Sequence, residues 1–240
     1  MSSRTLDGRT ALITGASRGI GRATAAALAQ AGARVVLIAR SAKELQDVAA
    51  NIRENALAVP CDVTDAAAVA RMVSTVMQAC DGAPDIVVNN AGLFPIAALD
   101  VMAVDDFERT IEVNLIAPFR VLRAFLPKMR VRGTGHVVTI GSVADRTVFA
   151  GNGAYAASKY GQRAMQEVLR AELRGSGVRS TLVSPAATDT PIWNPIDPDN
   201  QPGFPSRASM LRAENVADAV LWVVTRPFSV NVDEVRLSSA

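Results

Sequence analysis

Tyr155 and Lys159 lie four residues apart in the segment Tyr155-Ala-Ala-Ser-Lys159, which opens a run of helix-forming residues. Residues at this spacing share one face of a helix, so the phenol and the ammonium are expected to point into the same cavity. A cation beside a phenol favours the phenolate, and we therefore expect the pKa of Tyr155 to lie below its usual value of about 10. Such a phenol can exchange a proton with an alcohol or a carbonyl. The same spacing also occurs on amphipathic helices whose Tyr and Lys have no chemical role.

The elements that must position this pair follow from an alternation of short β-branched runs with alanine-rich helical runs. Strands are predicted at 10–14, 34–39, 56–60, 85–88, 136–140, 178–184 and 232–237. Helices are predicted at 19–31, 42–53, 65–79, 105–130, 155–174 and 214–224. Strands that alternate with helices pair in parallel, and these strands are apolar throughout, as burial on both faces requires. The sequence therefore predicts an α/β fold, a doubly wound Rossmann-type fold with a seven-stranded parallel sheet and helices on both faces.

Length and composition indicate a single domain spanning residues 1–240. Hydrophobic residues make up 49% of the chain, and the formal net charge is +2. With so small a charge and no run of Lys or Arg, we expect no nucleic-acid partner. The sequence has neither an apolar segment long enough to cross a bilayer nor a signal-peptide core, so we expect a cytoplasmic protein without a membrane partner. Cys61 and Cys80 are interpreted as core residues, and no metal site is expected at His136 or elsewhere.

Polar residues collect at the carboxyl ends of the predicted strands, where ligands bind in open parallel sheets. These ends carry Gly15, Arg40, Asp62, Asn90, Ser142 and Pro185. The proline-rich segment 185–213 follows the sixth strand. A long segment of this kind inside a compact domain is either functional or disordered. We interpret it as a flap over the site, with disorder as the alternative.

A glycine-rich turn lies between the first predicted strand and the first helix, and it reads Thr14-Gly15-Ala16-Ser17-Arg18-Gly19-Ile20-Gly21. Glycines let the backbone approach a pyrophosphate, which binds at the positive end of the helix. A glycine cluster is a weak signal by itself, but here it has the strand before it and the helix after it. A turn without a ligand is the alternative.

Five motifs in this order give the chain a recognisable pattern: the glycine turn, Asn89-Asn90-Ala91-Gly92, Asn114, Ser142, and Tyr155 with Lys159. The chain resembles, over nearly its whole length, the classical short-chain dehydrogenase/reductase family. This resemblance implies an oxidoreductase that transfers a hydride between a nicotinamide dinucleotide and a carbonyl or secondary alcohol, such as a ketone or a 3-oxoacyl compound. It also implies a homotetramer or a homodimer.

The resemblance further implies roles for individual residues. Tyr155 would be the general acid/base, Lys159 would lower its pKa and hold the nicotinamide ribose, and Ser142 would bind the substrate oxygen. Asn114 would anchor a water relay to Lys159, or would merely satisfy backbone groups in a helix break. Besides Tyr155 and Lys159, the residues implied to bind the cofactor are Gly15, Ser17, Arg18, Gly19, Ile20, Arg40, Asp62, Val63, Asn90, Ala91, Gly92, Pro185, Thr188 and Thr190. Asp62 is alternatively a cap for the helix that begins near residue 65.

The choice of dinucleotide depends on charge. An acidic residue about twenty positions after the glycine turn binds the ribose hydroxyls of NAD, whereas arginine accommodates the 2′-phosphate of NADP. This chain has Ala39 followed by Arg40, with Arg18 inside the turn. We therefore predict NADP(H), the alternative being that both arginines are solvated surface residues.

The substrate pocket is predicted to be apolar. Its candidate lining residues, each of which is also a core candidate, are Phe94, Val143, Phe149, Trp193, Phe204 and Met210. Asp145 and Arg146 are interpreted as a solvated loop pair, the alternative being that they orient a polar substrate. Two other functions remain open: a non-catalytic dinucleotide-binding regulator, and reduction of a double bond conjugated to a thioester, for which the relatives have a wider separation of Tyr and Lys.

Overall fold

A computed structural model describes residues 5–240 and confirms the doubly wound α/β architecture. Seven parallel strands form the main sheet in the order β3-β2-β1-β4-β5-β6-β9. Their bounds are β1 Thr10–Thr14, β2 Arg34–Ala39, β3 Ala56–Pro60, β4 Ile86–Asn89, β5 Gly135–Ile140, β6 Val178–Pro185 and β9 Glu234–Leu237. The helices are α1 Gly19–Gln30, α2 Ala42–Ile52, α3 Ala66–Ala79, α4 Val104–Ile111, α5 Ala117–Arg132, α6 Gly153–Glu172 and α7 Ala213–Val224. Within the described residues, none of these helices is both long and apolar enough to span a membrane.

Alternate residues of the central strands pack into two separate cores. Ile13 of β1 belongs to the core beneath α1, α2 and α7, whereas its neighbour Leu12 belongs to the core beneath α3, α5 and α6. Val35 and Val36 of β2 divide in the same way. Because successive strand residues point to opposite faces, a strand covered on both sides must be apolar at every position. This requirement explains the near-continuous hydrophobic runs of the sequence.

The helix predicted at 105–130 is present as an unbroken helical run over residues 104–132, but its middle turn is not α-helical. A π-helical turn, Glu112–Ile116, separates α4 from α5. Pro118, in the first turn of α5, has no amide hydrogen to donate to the carbonyl of Asn114 four residues earlier. The regular helical hydrogen-bond pattern is therefore broken at Asn114, which is wholly buried.

The segment 185–213 contains short regular structure of its own. Strand β7 Thr188–Asp189 pairs in parallel with strand β8 Leu211–Arg212. Arg207 connects the segment by donating to the Asp189 carboxylate at 2.6 Å and to the Asn194 side chain at 2.9 Å. The segment that follows β6 thus has a defined structure of its own. Its function as a flap stays a prediction.

His136 is buried in β5 and has one well-defined hydrogen bond, from Nε2 to Thr181 at 2.8 Å. The Thr181 hydroxyl donates its own proton to the Val232 carbonyl at 2.7 Å, so the imidazole Nε2 must be the donor in this pair. Burial lowers the pKa of His136 to about 3, and the charges of Arg179 and Arg9 add to this effect. The imidazole is therefore neutral at physiological pH.

We predict that His136 makes folding stability depend on pH. Because the pKa is lowered in the folded state, the unfolded chain binds an extra proton below its own pKa of about 6.5, and stability falls as the pH decreases by about 1.4 kcal/mol per unit. The free energy of unfolding should be measured with urea at pH 7 and at pH 5. Its decrease between the two pH values should be about 2 kcal/mol smaller in His136→Gln than in the wild type. Glutamine keeps an N–H donor towards Thr181. Equal pH dependence in the two proteins would contradict this prediction.

Candidate active site

The site lies where the strand order reverses, between the carboxyl ends of β1 and β4. The Thr14 hydroxyl at the end of β1 accepts hydrogen bonds from the backbone N–H groups of Asn90 (2.9 Å) and Ala91 (3.1 Å). The Asn90 side chain donates in return to the Thr14 carbonyl at 2.8 Å. These bonds fix the two strand ends against each other and open a groove of about 1870 Å³ along the sheet edge.

The glycine turn fits a pyrophosphate. Gly15 has φ +66°, a conformation that favours glycine, and a Cβ placed there would lie 2.9 Å from the Cα of Ala91. Helix α1 begins within the turn, at Gly19, with no side-chain cap and no acidic residue in its first turn. Its first N–H groups and its positive end are therefore available to an anion.

The two arginines singled out in the sequence both line the groove and are exposed. Among the described residues, neither Arg18 nor Arg40 forms an ion pair. Ser41 lines the same end and caps helix α2, accepting from the backbone N–H of Glu44 at 3.3 Å. Two guanidinium groups and the N-terminus of α2 thus line the groove, as does the exposed carboxylate of Glu44.

Asp62 follows β3 and does not cap the next helix, because Asp65 does so. The Asp62 carboxylate instead accepts from the backbone N–H of Thr64 at 3.0 Å and from its hydroxyl at 2.7 Å. Burial alone would raise the pKa of Asp62, but these hydrogen bonds and the charges of Arg40 and Arg109 lower it overall. Asp62 is therefore an ionised acceptor on the groove wall.

Ser142 and Tyr155 approach each other from β5 and α6. Ser142 follows β5 and accepts from the Ala144 N–H at 3.1 Å, while Tyr155 lies in the first turn of α6. Burial raises the pKa of Tyr155 to about 12; the hydrogen bond with Ser142 opposes this effect, and the nearby Asp145 carboxylate adds to it. The expected lowering of the pKa was wrong, because desolvation of the phenolate outweighs its favourable contacts. Tyr155 is therefore protonated at neutral pH.

Lys159 is only 4% exposed, and its ammonium has two hydrogen-bond acceptors. It donates to the Ile140 carbonyl of β5 at 2.9 Å and to the Gln162 Oε1 atom at 2.8 Å. Its Nζ atom lies 5.6 Å from the centre of the Tyr155 ring. Burial lowers the pKa of Lys159 to about 8, an effect that the charge of Asp145 partly offsets.

Asn114 does not line the groove but holds the loop that does. Its side chain accepts from the N–H of Leu93 at 2.8 Å and donates to the carbonyl of the same residue at 2.9 Å. It also donates to the Ser158 hydroxyl at 3.0 Å, which in turn donates to the Tyr155 carbonyl at 2.7 Å. The backbone carbonyl of Asn114 accepts from the Gln162 amide. Asn114 therefore joins the loop after β4 to the helix that carries Tyr155.

Asp145 and Arg146 do not form a solvated pair, and that interpretation was wrong. Asp145 is completely buried, with Arg146 Nε at 2.7 Å and the Ser184 hydroxyl donating at 2.6 Å. Arg146 also pairs with Glu234 of β9 at 2.7 Å. The sequence position next to Ser142 gave no sign that β6 and β9 would supply partners for both charges.

The other end of the groove is formed by four aromatic side chains, Phe94, Phe149, Trp193 and Phe204, which we call the aromatic wall. The Phe94 ring lies 4.6 Å from the Tyr155 ring and 5.1 Å from the Trp193 ring, measured between centres. Val143 also lines the groove, whereas Met210 is a buried core residue outside its lining. The Tyr155 phenol therefore faces an apolar space.

All the residues predicted to bind a cofactor line this one groove, as do Ser142, Tyr155 and Lys159. Thr14 and Gln162 were not predicted as site residues from the sequence. Thr14 belongs to the glycine turn, and its position at the end of a strand was the available signal. Gln162 lies three residues after Lys159, on the same face of α6, and this spacing could have identified it.

Comparison with known proteins agrees with this geometry. Residues 9–201 match the family model described as short chain dehydrogenase. An uncharacterized oxidoreductase of Staphylococcus haemolyticus is 36% identical over 233 residues, which cover 97% of each chain. A metagenomic short-chain oxidoreductase solved with NADP superposes with a TM-score of 0.84 at 32% identity, covering 98% of this chain and 99% of its own. An alcohol dehydrogenase of the archaeon Thermococcus sibiricus, solved with 5-hydroxy-NADP, gives 0.87 at 32% identity, covering 97% of both chains. The chain therefore belongs to the short-chain dehydrogenase/reductase family of oxidoreductases.

Proposed function

We propose that this protein is an NADP(H)-dependent carbonyl reductase or alcohol dehydrogenase, with Tyr155 as general acid/base. One observation supports the proposal most strongly. Ser142, Tyr155 and Lys159 line the same groove as the glycine turn and the two arginines, Arg18 and Arg40. The structural relatives solved with NADP and with 5-hydroxy-NADP support the choice of dinucleotide.

The proposed reaction joins a hydride and a proton to the two atoms of a carbonyl. When bound, NADPH supplies the hydride that reduces the carbonyl carbon. Tyr155 donates its phenolic proton to the carbonyl oxygen, and the Ser142 hydroxyl holds that oxygen by a hydrogen bond. The Lys159 ammonium stabilises the negative charge that the phenol acquires. The products are the alcohol and NADP⁺, and Tyr155 regains its proton from solvent.

The high pKa of Tyr155 favours reduction at neutral pH. A phenol with a pKa of about 12 is a stable proton donor at pH 7, whereas alcohol oxidation first requires the phenolate. We therefore expect ketone reduction to be catalysed faster than alcohol oxidation at pH 7. Alcohol oxidation should become faster as the pH rises.

The aromatic wall supports an uncharged ketone with an aromatic or bulky apolar substituent as substrate, because aromatic rings pack well against one another and a buried charge lacks a partner there. NADPH consumption should be measured with acetophenone, its para-carboxylate, a 3-oxoacyl thioester and an enoyl thioester. We expect kcat/KM for acetophenone to exceed that for the carboxylate by about tenfold or more. A preference for the carboxylate would contradict this substrate class.

The same panel separates the alternative functions. A regulator that only binds the dinucleotide would leave NADPH consumption at its background rate with every compound, and a double-bond reductase would act on the enoyl thioester alone. The Lys159 contacts and the closeness of the Ser142 hydroxyl to Tyr155 argue for a proton-transferring enzyme, because a regulator has no need of them. Carbonyl-independent NADPH oxidation across the panel would reject the proposed function.

We propose a cytoplasmic homodimer or homotetramer. Apolar side chains on the outer surfaces of α5 and α6 support association, with Phe119 49% exposed and Val168 57% exposed. Light scattering of the purified protein measures the assembly directly.

A further inference from the structure

Gln162 forms a buried link between Lys159 and the backbone of Asn114. Its side-chain oxygen accepts from the Lys159 ammonium at 2.8 Å, and its amide nitrogen donates to the Asn114 carbonyl. Gln162 is 1% exposed, so the amide has no competing contact with bulk water. The single side chain thus spans the distance between the ammonium and the carbonyl.

The orientation of this amide is fixed by its two neighbours. An ammonium has three donors and no acceptor, and a carbonyl only accepts. Reversing the amide would place its NH₂ group against the ammonium and its oxygen against the carbonyl oxygen. The Asn114 carbonyl is available because Pro118 cannot donate to it. The Gln162 amide therefore supplies the hydrogen bond that the π-helical turn leaves unmade.

We propose that Gln162 is a positioning residue for the proposed reaction: it holds the Lys159 ammonium in place and keeps it charged, in the position that the family resemblance assigned to a water relay. A neutral amide cannot pass on a proton as a water molecule does, because it would have to leave its stable tautomer. Gln162 therefore holds Lys159 without carrying protons to it. This inference rests on the proposed function only for its consequence in catalysis.

The charged and titratable groups that face Lys159 are few. Tyr155 faces it from the same helix, and Asp145 contributes a negative charge from the turn after β5. Strand β5 and the π-helical turn present only carbonyl oxygens, those of Ile140 directly and Asn114 through Gln162. Removing the Gln162 oxygen should therefore destabilise the ammonium, and a carboxylate in its place should stabilise it.

The test is the pKa of Lys159 measured by NMR in full-length protein labelled at the lysine side chains. The chain has three lysines, and the other two, Lys43 and Lys128, are exposed, so the buried lysine is readily distinguished and is assigned with Lys159→Met. We expect Gln162→Met to lower the pKa of Lys159 by about one pH unit, and Gln162→Glu to raise it, since each changes a hydrogen bond to a charged group.

Gln166 supplies a matched control. It is 2% exposed, lies four residues further on the same helix, and accepts from Thr139 at 3.0 Å without contacting Lys159. Gln166→Met should leave the pKa of Lys159 unchanged. Equal shifts in Gln162→Met and Gln166→Met, or shifts of the same sign in Gln162→Met and Gln162→Glu, would overturn the proposal. Should Gln162→Met fail to fold, Gln162→Glu decides, since no rise in the pKa rejects the proposal.

The effect of Gln162 on catalysis is measured separately from the NMR titration, through the pH dependence of kcat/KM. In the proposed reduction the rate falls as Lys159 loses its proton, so the alkaline limb of the kcat/KM profile should move to lower pH in Gln162→Met and to higher pH in Gln162→Glu. A wild-type protein without carbonyl-dependent activity would reject the proposed function, while the NMR titration would still decide the role of Gln162.

Discussion

Replacing Tyr155 with Phe is expected to lower the turnover of ketone reduction by roughly 10²–10⁴-fold, the usual contribution of a positioned proton donor. The phenyl ring keeps the packing against Phe94, whose centre lies 4.6 Å away, and removes only the hydroxyl. Without it the carbonyl oxygen must take its proton from solvent. The Kd for NADPH, measured by fluorescence titration, should stay within about threefold, because the glycine turn and both arginines are unchanged.

Tyr160 offers a matched control for this substitution. The chain has two tyrosines, and Tyr160 lies on the same helix but is 42% exposed and outside the groove. Tyr160→Phe should retain full turnover. Wild-type turnover in Tyr155→Phe would remove this residue from the proposed chemistry, and a large loss of NADPH affinity would indicate a role in binding instead.

Replacing Arg18 and Arg40 together with Ala is expected to raise the KM for NADPH by roughly 100-fold and to leave the KM for NADH within about threefold. A hydrogen bond to a charged group contributes about 1.5–3 kcal/mol, and a loss of 1.4 kcal/mol is a tenfold change in affinity. Since NADPH and NADH differ only by the 2′-phosphate, a change confined to NADPH locates that phosphate at these guanidinium groups.

The control for the arginines is Arg22→Ala. Arg22 is exposed on α1 but does not line the groove, so its removal changes the net charge without changing the proposed phosphate contacts. If the wild-type KM values for NADPH and NADH differ by less than a few-fold, the prediction of NADP(H) is wrong. Equal loss of both dinucleotides in the double variant would show that the arginines contact a part that the two share.

The fold could be predicted because it depends on a pattern that is visible in short stretches of the sequence. Alternating apolar strands and amphipathic helices have one low-energy arrangement, in which every strand residue is covered from one side or the other. The glycine turn could also be predicted from the sequence. A glycine is expected where the backbone has a positive φ, and Gly15 has a φ of +66°. Pro118 was a sequence signal for the π-helical turn at Asn114. The apolar periodicity of 105–130 nevertheless predicted a regular helix there.

The sequence by itself determined the sheet, the order of the motifs and the choice of the residues proposed to react, because spacing along a strand or helix fixes which side chains share a face. Only the tertiary structure decided their electrostatics. It placed Tyr155 where burial raises its pKa, paired Asp145 with Arg146, and bridged Lys159 to Asn114 through Gln162. A charge responds to every group within several ångströms, and these groups come from strands and helices far apart in the chain.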